Sequence, residues 1–205
     1  MTIRFVLATR NRGKIAEFNH LFAGVSEIEV LSLHDLGEVA EVIEDGATFE
    51  DNAKKKACQV ARSCGLIALA DDSGLEVDAL NGEPGVYSAR FAGDEADDAA
   101  NNRKLLELLS DVPAERRKAR FRCVLALAVP NGANTAEVHL ERGVCEGQIG
   151  WAPRGRNGFG YDPLFIPQGQ NLTMAELPAQ EKNRISHRAR ATRQMREYIM
   201  GKYSR

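Results

Sequence analysis

The sequence predicts an α/β fold, and three observations carry that prediction. Leu66-Ile67-Ala68-Leu69-Ala70 is an apolar run of strand length that stops at Asp71-Asp72-Ser73-Gly74. A run of this kind, bounded by turn residues, suits a strand buried on both faces. At the N-terminus, a strand-like segment from Ile3 to Ala8 leads through an Asn- and Gly-bearing turn into residues at helical spacing. Farther on, Ala119 to Val129 and Ala136 to Cys145 read as two strands flanking Asn131-Gly132, a pattern that predicts an antiparallel pair.

The chain has 205 residues, 43% of them hydrophobic and 27% charged, with a formal charge of -2. That is enough to bury a core as one domain spanning 1–205, and it gives no global pull toward nucleic acid or an acidic membrane. No apolar run approaches the roughly 20 residues of a membrane span, and the N-terminal apolar stretch is too short for a signal peptide. The expectation is a cytoplasmic protein with no membrane or nucleic-acid partner. Cys58, Cys64, Cys123 and Cys145 form no C-x-x-C pair and have no histidine at zinc spacing, so reduced, mostly buried thiols are expected.

Taken in order, the first strand is followed by Thr9-Arg10-Asn11-Arg12-Gly13-Lys14 as a loop. A helix is then predicted from about Lys14 to Phe22, with Ile15, Phe18, Leu21 and Phe22 on its apolar face. Glu29 to Leu33 reads as a second strand, and Glu38 to Gly46 as acidic and irregular. Thr48, with Asp51 three residues on, is a helix N-cap signal for a helix to about Ser63. After the Asp71-Asp72 stretch, Leu75-Glu76-Val77 extends the sheet, and Val86 to Gly93 has no assignable pattern. Asp97 to Leu109 is a predicted helix with Leu105, Leu106, Leu108 and Leu109 facing inward. The strand from Ala119 is apolar on both faces and should be central. In the tail, Thr173-Met174-Ala175-Glu176 is a helix N-terminus signal, followed by a basic stretch and an amphipathic helix to about Met200.

Three regions carry chemistry. Asp71 and Asp72 are expected at a strand's end, where open α/β sheets place ligands. Alternation along the strand sends only one of them into a site. Paired acids repel unless a cation or a proton lies between them, which points to a magnesium site acting on phosphate; a turn held by Asx-type bonds is the alternative. The strand, turn and helix start at Thr9 to Lys14 form an anion cradle, although Ile15 stands where a Walker loop needs Ser or Thr. Lys14 as a phosphate ligand rests on position alone, and a surface lysine is the more ordinary reading. The glycines on either side of Phe159 leave its ring open to stacking by a flat ligand, or else mark a structural turn.

Six stretches together resemble the inosine triphosphate pyrophosphatase family, the non-standard purine NTP or dITP/XTP pyrophosphatases. They are Ala8 to Lys14, Thr48 to Ala53, Ala70 to Leu75, Pro84 to Arg90, Gly158 to Pro163 and Ser186-His187-Arg188, in the family's order and covering nearly all of Ile3 to Tyr198. The resemblance implies an elongated mixed sheet flanked by helices, with two lobes and a central cleft, in a homodimer. It implies magnesium-dependent hydrolysis of ITP, dITP and XTP to the monophosphate and pyrophosphate. By the same resemblance, Thr9, Arg10, Asn11, Arg12, Gly13, Lys14 and Lys56 would bind phosphate, and Glu44 and Asp72 the metal. Asp72 would be the general base, with Ser73 beside the substrate. Phe159 would stack on the base, Gly160, Tyr161 and Asp162 would shape its pocket, and Lys182, His187 and Arg188 would complete nucleotide binding. Asp51 departs from the family's usual glutamate. Two rivals are a pyrophosphatase for another modified nucleoside triphosphate, and a non-catalytic nucleotide or RNA-binding module.

Overall fold

The computed structural model describes residues 2–36, 40, 42–132 and 135–203. Its order is β1 (Ile3–Leu7), α1 (Arg12–Phe22), β2 (Ile28–Ser32), α2 (Phe49–Cys64), β3 (Ile67–Val77), α3 (Asp98–Leu108), β4 (Lys118–Pro130), β5 (Ala136–Ile149), β6 (Phe165–Pro167), α4 (Ala179–Ile185) and α5 (His187–Tyr203), with short 3-10 turns between. One six-stranded sheet runs β2-β1-β3-β4-β5-β6. β1 pairs in parallel with both β2 and β3, whereas β5 and β6 are antiparallel, so the sheet is mixed. β4 and β5 are neighbours joined by residues 131–135, too few for a parallel crossover. The expected hairpin therefore stands, its loop closed by Asn131 N–H donating to the Thr135 carbonyl at 3.1 Å.

The chain divides into two compact units, each with its own core. The first comprises Met1–Asp72, Cys123–Arg142 and Ala189–Arg205. Its core gathers Phe5 and Leu7 of β1, Phe18 and Phe22 of α1, Leu69 of β3, Leu125 and Leu127 of β4, and Ala191, Met195 and Ile199 of α5. The second comprises Ser73–Arg122 and Gly143–Arg188. It packs Leu75 and Val77 of β3 and Leu105 of α3 with Leu109, Phe121, Tyr161, Phe165 and Met174. Among the described residues, no helix is long and apolar enough to cross a membrane.

Several expectations change. β3 does not stop at the paired acids: it runs through Ser73 and Gly74 to Val77, because Leu75 and Val77 find buried places and Leu75 N–H finds Ser88 Oγ at 2.9 Å. Asp71 and Asp72 are thus mid-strand. Leu108 is 46% exposed, since α3 presents Leu105 to the core and only a narrow stripe can face inward. Glu176 Oε2 does accept the Thr173 N–H at 2.8 Å, but Glu176 N–H donates to the Thr173 carbonyl, so the pair closes a single turn; Pro178 precedes the true helix start at Ala179. Of the acidic segment, Glu38, Val39 and Glu41 lie outside the described residues. Thr48 caps α2 as expected, and the shorter Asp51 meets the Thr48 hydroxyl: its N–H donates to Thr48 Oγ1 at 3.1 Å, and Thr48 Oγ1 donates to Asp51 Oδ2 at 2.7 Å.

Candidate active site

In the first unit, two lysines converge on the paired acids. Lys14 comes from the first turn of α1, which starts at Arg12 rather than Lys14, so Arg12-Gly13-Lys14 is helix and not loop. The reason is Asn11, whose side-chain oxygen accepts the Lys14 N–H at 3.0 Å, while Asn11 N–H donates to Thr9 Oγ1 at 3.2 Å. Thr9 and Asn11 therefore shape the turn, while Arg10 and Arg12 stay exposed. Lys14 Nζ pairs with Asp71 Oδ1 at 2.5 Å, so it is a partnered lysine and no ordinary surface one. Lys56 enters from the middle of α2 and is only 7% exposed. Its Nζ donates to the Asp71 carbonyl at 2.7 Å and to Glu44 Oε1 at 3.1 Å, and lies 3.5 Å from Asp72 Oδ1.

Strand alternation assigns only one acid to this cluster, yet both belong to it. Asp71 is fully buried. Its carboxylate takes Lys14 and the Cys123 thiol, which donates to Oδ2 at 3.2 Å, while its backbone carbonyl reaches Lys56. Alternation constrains side chains only, and a carbonyl along the same strand escapes it. Glu44 is placed by stitching its loop to α2: Gly46 N–H donates to Asn52 Oδ1 at 2.8 Å, and Lys55 pairs with Asp45 at 2.5 Å.

Asp72 is 5% exposed, and burial pushes its carboxyl up to about 6. Lys56 and Lys14 oppose that rise, Glu44 adds to it, and Asn52 is close enough to favour the ionised form. Asp72 Oδ2 nevertheless has no hydrogen-bond partner. An acceptor buried in that condition beside a second carboxylate is suited to an oxygen-seeking cation. Among the described residues no cluster of three or more His, Cys, Asp or Glu forms a closed protein cage. Magnesium does not require one, because it usually keeps waters and substrate oxygens in its shell.

In the second unit, the loop from Pro153 to Pro163 is pinned to the turn at Thr173–Leu177. Arg156 and Asn157 N–H groups both donate to the Ala175 carbonyl, and Thr173 Oγ1 donates to the Arg154 carbonyl. Asp162 then folds back on its own loop. Its Oδ2 accepts Phe159 N–H at 2.9 Å and pairs with Lys182 Nζ. Gly158 makes this possible: its φ is +77°, and a Cβ there would lie 2.0 Å from Asp162 Oδ2. Lys182 Nζ sits 5.0 Å and Arg188 Cζ 5.6 Å from the centre of the Phe159 ring. Arg188 donates to Ser73 Oγ at 3.3 Å. The His187 ring stacks on Phe121 at 4.8 Å, and Tyr161 is a core residue whose hydroxyl donates to the Ser88 carbonyl at 2.8 Å. Burial raises the Tyr161 hydroxyl, which therefore stays protonated.

Lys14, Lys56, Glu44 and Asp72 are thus assembled in one unit, and Phe159, Asp162, Lys182, Arg188 and Ser73 in the other. Sequence reasoning missed Asn52, Ser88 and the contribution of Asp71. Asn52 had a usable signal, since it stands one helical turn before Lys56 and shares its face. Ser88 had none.

A mixed α/β protein with a buried acid–lysine cluster and an open aromatic ring flanked by cations is a nucleotide-handling protein by chemical class. The chain belongs to the Ham1 family, whose profile matches residues 5–198. It is 52% identical over 194 residues to a dITP/XTP pyrophosphatase of Bacillus cereus, covering 95% of this chain and 93% of the relative. The structure resembles that of a HAM1 protein from Coxiella burnetii with a TM-score of 0.86 at 42% identity, covering 98% of this chain and 100% of that one. It also resembles a nucleoside-triphosphatase / dITP/XTP pyrophosphatase from Mycobacterium abscessus with a TM-score of 0.74 at 48% identity, covering 94% and 97% of the two chains.

Proposed function

We propose that the protein hydrolyses non-standard purine nucleoside triphosphates, dITP, ITP and XTP, to the monophosphate and pyrophosphate. The observation that carries this is Asp72: a buried carboxylate near 6, facing Lys56, with one oxygen lacking a partner. At neutral pH such a group is ionised and still basic enough to take a proton from water, the condition for a general base. Lys14 and Lys56 neutralise phosphate charge, and the pairing of both to Asp71 holds them ready before substrate arrives. Glu44 and Asp72 would hold Mg2+, which supplies charge neutralisation for the phosphates and the leaving pyrophosphate.

Phe159 takes the base by stacking. Arg188 and His187 are the candidates for donors to the 6-keto oxygen. Adenine offers a donor there instead, so both partners would be left unpaired and ATP disfavoured. The remaining first-turn residues Arg10, Arg12 and Gly13 belong to phosphate binding in the same reading. A cytoplasmic homodimer completes it, and the oligomer is tested by light scattering on the purified chain.

The test is pyrophosphate release from ITP, XTP, GTP, ATP and dUTP, with Mg2+ and with EDTA. ITP and XTP should be turned over with equimolar pyrophosphate, GTP and ATP at least about tenfold less well, and nothing in EDTA. Preference for dUTP would move the protein to another substrate class. Release of orthophosphate alone, or no turnover of any triphosphate, would overturn the proposal.

A further inference from the structure

Phe159 can act as a platform only if its ring is held, and a loop containing Gly158 and Gly160 does not hold itself. Gly160 has φ +61°, and a Cβ there would touch nothing. Such a segment has wide backbone freedom unless outside groups remove it. Every backbone polar group of Phe159 and Gly160 is in fact engaged. Phe159 N–H donates to Asp162 Oδ2, and the Phe159 carbonyl accepts Asp162 N–H at 3.2 Å. Gly160 N–H donates to Asp98 Oδ2 at 2.6 Å, and the Gly160 carbonyl accepts Asn102 Nδ2 at 2.8 Å. The first pair is local. The second comes from α3, with sequence separations of 62 and 58 residues.

The geometry points to Asp98 and Asn102 as positioning residues for base recognition: together they clamp the Gly160 peptide and so fix the plane of Phe159. This rests on the reading of Phe159 as the surface on which the base stacks. Neither residue is needed where it stands for the helix itself. Asp97 already caps α3, its Oδ1 accepting Ala100 N–H at 2.7 Å, which leaves the Asp98 carboxylate for Gly160. Asn102 is 7% exposed in the helix interior, where asparagine is a poor helix former, and its Oδ1 has no partner. A buried amide with one atom unsatisfied lowers stability, so its value at this position is the bond its other atom makes. Asn102 Nδ2 also donates to the Asp98 carbonyl at 2.7 Å, tying the two clamp residues to each other one turn apart. A ring held before the nucleotide arrives does not have to be ordered on binding, so the clamp should act on KM and leave kcat nearly alone.

A double-mutant cycle tests this with ITP as substrate. Asn102→Ala is expected to raise KM about tenfold while kcat stays within about twofold, the scale of one hydrogen bond in a preorganised site. In a Phe159→Ala background the same change should raise KM no further, because the clamp acts through the ring. Asp98→Ala goes through the same cycle, so the test survives a misfolded Asn102 variant, and Asp98→Asn, which keeps an acceptor, should recover most of the loss. Equal effects with and without Phe159, or a fall in kcat at constant KM, would overturn the clamp. Should Phe159→Ala itself leave KM unchanged, the stacking role fails and the clamp falls with it; a raised KM in Phe159→Ala with an unaffected Asn102→Ala overturns the clamp alone.

Discussion

The acid–lysine cluster of the first unit and the Phe159 loop of the second solve opposite problems. The first holds charges that would otherwise repel or hydrate, and it does so with long side chains converging on one strand: Lys14 on the Asp71 carboxylate, Lys56 on the Asp71 carbonyl. The second holds a neutral ring, and it does so almost entirely through backbone groups caught by side chains from elsewhere. Charge placed in a dry site changes what a transition state costs. A fixed plane changes what binding costs. Substitutions in the first region should therefore appear in kcat, and those in the second in KM.

The largest expected effect is that of Asp72→Asn, which removes the base while keeping shape; kcat should fall by about 10³ with nucleotide affinity largely kept, as read by steady-state kinetics and titration calorimetry. Near-normal turnover would take Asp72 out of the mechanism. Lys56→Ala comes next. It strands Asp72 and Glu44, so a loss of about 3–5 kcal/mol in denaturant unfolding should accompany a kcat lower by about a hundredfold. A stable variant with unchanged kcat would take Lys56 out of both the mechanism and the support of Asp72. Phe159→Ala should raise KM in line with the loss of about 1–3 kcal/mol of stacking, with little change in kcat.

The last effect is on pH dependence, and it touches stability rather than turnover. The Asp72 carboxyl lies near 6 in the folded metal-free protein against an ordinary 3.8, so the folded state binds the proton more tightly than the unfolded chain. Its contribution to stability is then fully present below about pH 4 and is lost as pH rises through about 6, amounting to about 2–3 kcal/mol at most. Denaturant unfolding of metal-free wild type and Asp72→Asn between pH 4 and 8 should show the wild type losing ground to the variant as pH rises. A difference that stays flat would contradict the shifted carboxyl.

Much of this was legible because it is local. Thr48 capped its helix as read, and Asn131-Gly132 sat between neighbouring strands. The apolar residues on both faces of β4 marked a central strand, which lies between β3 and β5. What escaped was set by distant partners. β6, from Phe165 to Pro167, is too short to show a period and exists by pairing with Gly147 to Ile149. Thr173 and Glu176 carried a correct capping signal that Pro178 and the packing of Met174 confined to one turn. In the site, Lys14 and the Asp71-Asp72 pair were readable from their places beside strand ends, whereas Lys56 and the choice of Asp72 came through the family resemblance. The role of Asp71 was not, because it holds Lys14 with its carboxylate and Lys56 with its backbone carbonyl, a group every residue has. Asp98 and Asn102 looked like ordinary helix positions, since nothing in their neighbourhood names Gly160.

The division of labour is tested most directly by the Asp72→Asn/Phe159→Ala double variant, with ITP affinity and turnover measured on the same preparations. Two independent contributions should simply combine: the turnover loss of Asp72→Asn alone and the affinity loss of Phe159→Ala alone, each within about twofold. If instead Phe159→Ala lowers turnover at unchanged affinity, or the two changes together cost no more than one, then charge and plane are not separate tasks and the account is wrong.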